Sequence, residues 1–334
     1  MLGVCTVVLV AWALSAAESV FAPLAFAFFI IAIAWPLQRR LQARMPQLLA
    51  LALTMAATIL VVVVFASLIA WATARVGRFV VNDAERLQAL YGSMSVWLES
   101  HGIELAGLWA NYFSVDQLIR LAQQVTTRLN TAVSFLIVVF IYVLLGLLEV
   151  DDAYLKLRGW PYGSMGEVLG RGGAKTAVKL RRYMLVRTLM SAVTGLLVWA
   201  FAWLAGLPLA VEWGVIAFAL NFIPFIGPFI ATVFPTVFAI AQFESWQMAL
   251  LVFACLNVIQ FVVGSYLEPR FVGSAMSISP FVVLFAVFFW TFLWGLAGAF
   301  IGIPIVIALL TLCEEHPSTR WIADLFGSPP PDRV

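Results

Sequence analysis

Few side chains in this sequence carry charge, so those that interrupt its apolar stretches are where chemistry would lie. Glu268, Pro269 and Arg270 stand together after a long apolar run. Ionisable groups at membrane depth are costly and mark function by default. The proline would stop the helix and leave both side chains at its inner end. There the acid and base can pair, opening when a substrate or a proton arrives; equally, they can sit at an interfacial helix end and snorkel into water. Glu212 opens another apolar stretch. It is either a proton carrier or a carboxylate held by the dipole of the helix it begins. Asn221, Asn257 and Gln260 are neutral amides within apolar segments. Asn221 precedes a break in its segment and can face cargo or an ion there. Asn257 and Gln260 are three apart and share a helix face. All three can also simply tie helices together, a role worth roughly 0.6 kcal/mol on average in membranes.

The element that must position Glu212 and Asn221 is the stretch 211–241, which has no charge after Glu212 until Glu244. It is long enough to cross a bilayer, since about 20 apolar residues suffice. Its middle, however, carries Asn221, Pro224, Gly227 and Pro228. Prolines remove backbone donors and disfavour continuous helix. A broken backbone is tolerated at membrane depth only inside protein or beside water. The stretch therefore reads as two short helices meeting at an elbow, either dipping into the membrane from one side or crossing it twice.

Composition sets the class. Of 334 residues, 63% are hydrophobic and 11% charged, with a net charge of +2; soluble domains carry about 25% charged residues. An all-α polytopic membrane protein follows, of about eight apolar helical segments. Lipid is its surrounding partner, and nothing points to nucleic acid. Cys5, Cys255 and Cys313 lie in or beside apolar segments and suggest neither a disulfide framework nor a metal site. The N-terminus reads as a retained first helix and not as a cleaved signal.

In chain order, residues 1–74 hold three helices, the first two short and antiparallel. Arg39, Arg40 and Arg44 mark the loop before the third as cytoplasmic. Residues 75–130 balance five arginines against five acids, with apolar residues at helical spacing; this reads as an extracytoplasmic amphipathic helical segment. Residues 131–149 form the fourth span. Residues 150–187 are basic and cytoplasmic, and the run 175–187 resembles a basic amphipathic helix lying on anionic headgroups. Gly170, Gly172 and Gly173 lack the Gly-Lys-Ser/Thr ending of a nucleotide loop and read as a turn. Residues 188–312 form the motif-rich half, and 313–334 a cytoplasmic tail. This places both termini in the cytoplasm.

That half contains two similar units. A helix running outward is followed by a broken pair entered from outside (188–241). A helix running inward is followed by a second broken pair entered from inside (247–312), with Gly273, Ser279, Pro280, Gly295, Gly298 and Pro304 at its interruptions. These residues, with Pro224, Gly227 and Pro228, shape backbone more than they touch cargo. Inverted repeats with interruptions at matching places point to a transporter site near the bilayer midplane.

NFIPFIGP (221–228), the tripeptide 268–270 and GLAGAFIGIP (295–304), in this order, resemble the AI-2E family of bacterial inner-membrane proteins. The resemblance covers nearly the whole chain. It implies a multi-spanning permease of the inner membrane, forming homo-oligomers. It also implies export of a small polar signal such as autoinducer-2 or, in other members, sodium/proton antiport. An acid, a proline and a base at 268–270 match the family pattern.

Enzymatic readings find little support. The two histidines, His101 and His316, belong to no metalloprotease motif, and neither a serine-nucleophile elbow nor a Walker sequence is present. No cofactor is expected. The expectation is a secondary transporter of a small polar solute, a signal or ions. Alternating access would be coupled to a proton or sodium gradient through Glu268 or Glu212. The alternative is a Na+/H+ antiporter or a channel-like protein without coupled transport.

Overall fold

The computed structural model describes residues 2–82, 115–158, 165–243, 245–272 and 278–327, and every long element among them is a helix. In order these are α1 (Leu2–Ala16), α2 (Glu18–Gln42), α3 (Gln47–Asn82), α4 (Val115–Arg158) and α5 (Met165–Leu204). The second half follows with α6 (Ala210–Leu220), α7 (Ile226–Phe243), α8 (Trp246–Phe261) and a π-helical turn at Val262–Leu267. It closes with α9 (Glu268–Val272), α10 (Pro280–Glu315) and α11 (Arg320–Phe326). Residues 83–114 of the segment 75–130, Gly273 and the proline-rich end of the tail lie outside the described residues.

Among the described residues, 6 helices are long and apolar enough to cross a membrane: Glu18–Gln42, Gln47–Phe79, Ala132–Leu157, Met165–Leu204, Trp246–Leu267 and Pro280–Glu315. Their outward faces are apolar, with Leu60, Val61 and Val64 exposed on α3 and Leu250, Leu251 and Val258 on α8. A helix apolar on all sides belongs in lipid or in a protein core.

Several helices are longer than the charge pattern indicates. Lysines and arginines mark an aqueous boundary but do not end a helix. The Arg39 and Arg40 pair thus falls within α2, and Arg75 within α3. The basic run 175–187 is continuous with the apolar helix after it, as one 40-residue α5. It is therefore no separate helix lying on headgroups. Lys179 pairs with Glu314 at 2.8 Å, and Lys175 pairs with Glu315. Gly170, Gly172 and Gly173 are helical and form no turn. A side chain at Gly172 would press on Leu312 at 2.7 Å, so it is α10 packing closely on α5 that calls for the small residue. At the N-terminus, α1 and α2 join through Ala17 alone and scarcely touch. They form a bent pair and no antiparallel hairpin; α1 leans on α10, where Trp294 donates to the Leu14 carbonyl at 3.0 Å.

Two groups of polar contacts define two ends of the molecule. At one end, Asp151 accepts from Trp35 at 3.0 Å and lies 3.9 Å from Arg39, while on α5 Arg181, beside the two lysines paired with α10, donates to the Ala32 carbonyl of α2 at 2.8 Å. At the other, Arg75 meets Glu212 at 3.0 Å, and Gln242 donates to the Gly206 carbonyl at 3.0 Å. Lys175 and Leu204 on α5 reach toward these two ends, roughly 44 Å apart at 1.5 Å per residue.

Two broken helical pairs lie between the ends. In the first, α6 and α7 reverse through residues 221–225, with Phe225 at φ 63. The reversal brings Trp213 onto Phe238, ring centroids 4.9 Å apart. The 11 residues of α6 reach only about 16 Å, half the hydrocarbon thickness. In the second, α10 is interrupted at Trp294 and Gly295, the glycine at φ 57 and ψ −138. Beyond it the chain returns along itself, because a side chain at Gly302 would sit 3.1 Å from the Ala286 carbonyl; in a straight helix those residues would be about 24 Å apart. The start of α10 stays beside the end of α11, Ser279 donating to the Phe326 carbonyl at 3.0 Å. The open ends of the first pair therefore lie at the Arg75 end, and those of the second at the Lys175 end.

Candidate functional site

The centre of the molecule is one face of α5. Tyr183, Arg187, Ser191 and Thr194 recur at helical spacing, and all four are buried. Ser191 is about 24 Å along the helix from Lys175 and about 20 Å from Leu204, near mid-height. Two elements of the second half meet this face.

The first is the π turn and α9. Arg187 Nη1 donates to both oxygens of Glu268, at 2.7 and 2.9 Å. Its side chain is 7% exposed and that of Glu268 24%. The expected Glu268–Arg270 pair is not what forms. Arg270 is exposed and lies 4.1 Å over the Tyr266 ring. Nor does Pro269 end the helix. The backbone widens to π spacing before it, the Glu268 N–H bonding to the Val263 carbonyl five residues back, and α9 continues. A π turn shifts every following residue relative to a plain α-helix, and here Glu268 arrives against α5 while Arg270 points away.

The second is the first elbow. Asn221 caps α6, is buried, and donates from Nδ2 to Ser191 Oγ at 3.1 Å. It thus ties α6 to α5 four residues beyond Arg187. Close packing supports the tie, because a side chain at Gly195 or Gly214 would strike the other helix's backbone at 2.8 Å. Most of the elbow's amides are satisfied within the turn: Asn221 donates to Ala217, Phe222 to Ala219, Ile223 to Leu220, Ile226 to Pro224 and Gly227 to Ile223. The break leaves fewer bare donors than two prolines and a glycine indicate.

The two broken pairs touch here. Phe222 of the first elbow stacks on Phe300 of α10 at 5.9 Å, and Phe300 also meets Phe26 and Phe29 of α2. Phe65 of α3 closes on Phe218 and Phe222. These phenylalanines form an internal aromatic column joining both pairs to α2 and α3.

The remaining expected site residues are dispersed. Glu212 is buried at the Arg75 end, where Arg75 Nε lies 3.0 Å away but off the axis of a hydrogen bond. Asn257 is exposed and donates to the Phe253 carbonyl of its own helix at 2.7 Å. Gln260 is half-buried on the same helix. Pro224 and Pro228 are half-buried around the first elbow; Gly227, Gly298 and Pro304 are buried in the pairs; Gly295 is exposed at the second turn. Ser279 and Pro280 begin α10. Charge counting missed Arg187, placing it at the edge of a cytoplasmic segment. The available signal was the polar stripe 183, 187, 191 and 194, which continues past that edge at helical spacing. No group of histidines, cysteines and acids able to hold a metal occurs among the described residues.

A helical, multi-span membrane protein with two broken helical pairs meeting beside a part-buried ion pair is the class that fold and site define. The AI-2E family transporter model matches residues 2–318, and the chain belongs to that family. It is 27% identical over 316 residues to the AI-2 transport protein TqsA of Escherichia coli (strain K12), covering 93% of this chain and 90% of that protein. It is 28% identical over 213 residues to YhhT of the same organism, a candidate transport protein by name, covering 64% of this chain and 60% of the relative. A protein of Borreliella burgdorferi, also named as a candidate transport protein, is 33% identical over 138 residues, 41% of this chain and 38% of its own length.

Proposed function

We propose that the chain is a secondary transporter of the inner membrane, with both termini in the cytoplasm, that moves a small polar solute by alternating access. The observation that carries this reading is the convergence at mid-height of α5: the ion pair of Arg187 and Glu268, the Asn221–Ser191 tie and the contact between the two broken pairs. In this reading the pairs are re-entrant hairpins entering from opposite faces, an arrangement that supports a central site. The frame against which they move is α2, α3 and α4. The cargo class is a small signal of the autoinducer-2 kind, after the name of TqsA. Copies of the chain assemble through exposed apolar helix faces.

Coupling to a proton or sodium gradient runs through Glu268. A proton or sodium ion on this carboxylate loosens its hold on Arg187 and frees α9 from α5. In proteoliposomes Glu268→Gln is expected to abolish gradient-driven flux while the protein still assembles. Flux at the wild-type rate in that variant rejects the coupling role. A cysteine at Gly295 tests the hairpins: labelling by an aqueous reagent supports a re-entrant turn, and lack of labelling from either side rejects it.

A further inference from the structure

We infer that the side edge of the Arg187 guanidinium docks an oxyanion carried by the cargo, with Glu268 neutralising the same guanidinium from its other side in the resting protein. This rests on the transporter reading and narrows its cargo to small organic oxyanions. Arg187 is the one cation among the buried polar and charged residues described. A guanidinium presents two edges to planar anions, and the edge formed by Nε and one terminal nitrogen matches two oxygens at once. Glu268 does not use that edge. Both of its oxygens bond to Nη1 alone. Nε is buried and meets no acceptor among the described residues. A buried donor left without a partner is rare in a native protein and calls for a reason. That edge is therefore the one free to receive a second anion.

The surroundings fit an exchange. Glu268 keeps a quarter of its side chain exposed, so the pair is not sealed. It hangs on a π turn, a spacing that appears mostly as single turns at functional positions. Moving it need not disturb the regular helices on either side. The other buried charge, Glu212, offers no such opening, because it is an anion whose cation is half-exposed. A two-oxygen anion would take the Nε edge as Glu268 withdraws; a neutral polyol would gain no such pairing.

The test is calorimetric titration of the purified full-length protein in detergent with sodium pyruvate and with inorganic phosphate, using glycerol as a neutral control. Glu268→Gln removes the competing carboxylate and is expected to bind pyruvate or phosphate at least tenfold more tightly than the wild type. Adding Arg187→Lys to that variant replaces the fork with a point charge and is expected to lose at least tenfold. Should that double variant not fold, Arg187→Gln with Glu268→Gln, neutral at both positions, makes the same comparison. Absence of binding by Glu268→Gln overturns the inference, as does a double variant that binds as tightly as Glu268→Gln. These outcomes are separate from the transport result: gradient-driven flux by the wild-type protein without anion binding by Glu268→Gln leaves the transporter and removes this site, and anion binding where the wild-type protein carries no flux does the reverse.

Discussion

The two broken pairs solve one problem, reversing a chain in apolar surroundings, by different local chemistry. The first spends five residues on its elbow, satisfies most of its amides within the turn, and places a phenylalanine at φ 63. The second turns at a single interruption, on a glycine at φ 57. What they share lies just beyond the turn. In the first, a side chain at Gly227 would overlap the Leu220 carbonyl; in the second, one at Gly298 would overlap the Trp290 carbonyl. Each return arm is thus held against the last turn of the outgoing arm by a residue without a side chain. The difference between them concerns what the elbow offers. Asn221 gives the first a polar tie to α5, whereas the second is fastened by aromatic packing and by Trp294 donating to α1. The common requirement is close approach, and the site chemistry is added at one turn only.

The sharpest way to break that comparison is to add bulk where the arms meet. Gly298→Val must part the arms of α10, which carry most of the largest core cluster, including Trp290, Leu293, Ile301 and Ile307. Overpacking of this kind costs about 3 kcal/mol. A large loss of thermal stability in detergent is expected, and a melting temperature equal to wild type would show that the arms do not touch. Gly227→Val overlaps backbone in the same way but beside a smaller cluster, so it should cost less, about 2 kcal/mol. Equal costs would mean that the first elbow is as tightly built as the second.

A gentler change separates the tie from the turn. Asn221→Ala removes the bond to Ser191 Oγ and leaves the elbow's own backbone bonds in place. Side-chain bonds between membrane helices average about 0.6 kcal/mol. The expected result is a small stability loss of about that size, matched by Ser191→Ala and not increased in the double variant. Additive losses would show that the two side chains have other partners.

Much of this architecture was legible because proline and glycine act locally. Pro224, Gly227 and Pro228 located the first break and Gly295 the second without any knowledge of neighbours. What was not legible depends on residues distant in the chain. Glu268 has Arg270 two residues away, yet its partner is Arg187, 81 positions back, because a π turn re-aims the side chain. Charge counting set a boundary at Arg187, although burial, and not sign, decides where a helix enters the interior. Gly172 looked like a turn residue because the demand for a small side chain comes from α10. The internal phenylalanine column was hidden for a similar reason, since composition cannot tell a ring facing lipid from one facing another ring.

The smallest expected effect tests the conformational half of the comparison. Phe225 holds φ 63, a region that costs a residue with a side chain roughly 1–2 kcal/mol and costs glycine little. The residue is 51% exposed, so removing its ring sacrifices little packing. Glycine also widens the unfolded ensemble, which offsets up to about 1 kcal/mol of the relief. Phe225→Gly is therefore expected to be neutral or to stabilise the protein by less than about 1 kcal/mol, read as a small upward shift in thermal unfolding. Gly295→Ala, at a similar φ but at ψ −138, where a side chain is strained although the space around it is open, should shift the transition downward by more, about 1–3 kcal/mol. If Phe225→Gly were clearly destabilising, the ring would have to be contributing contacts to lipid or to a neighbouring copy, and the first elbow would be a binding surface as well as a turn.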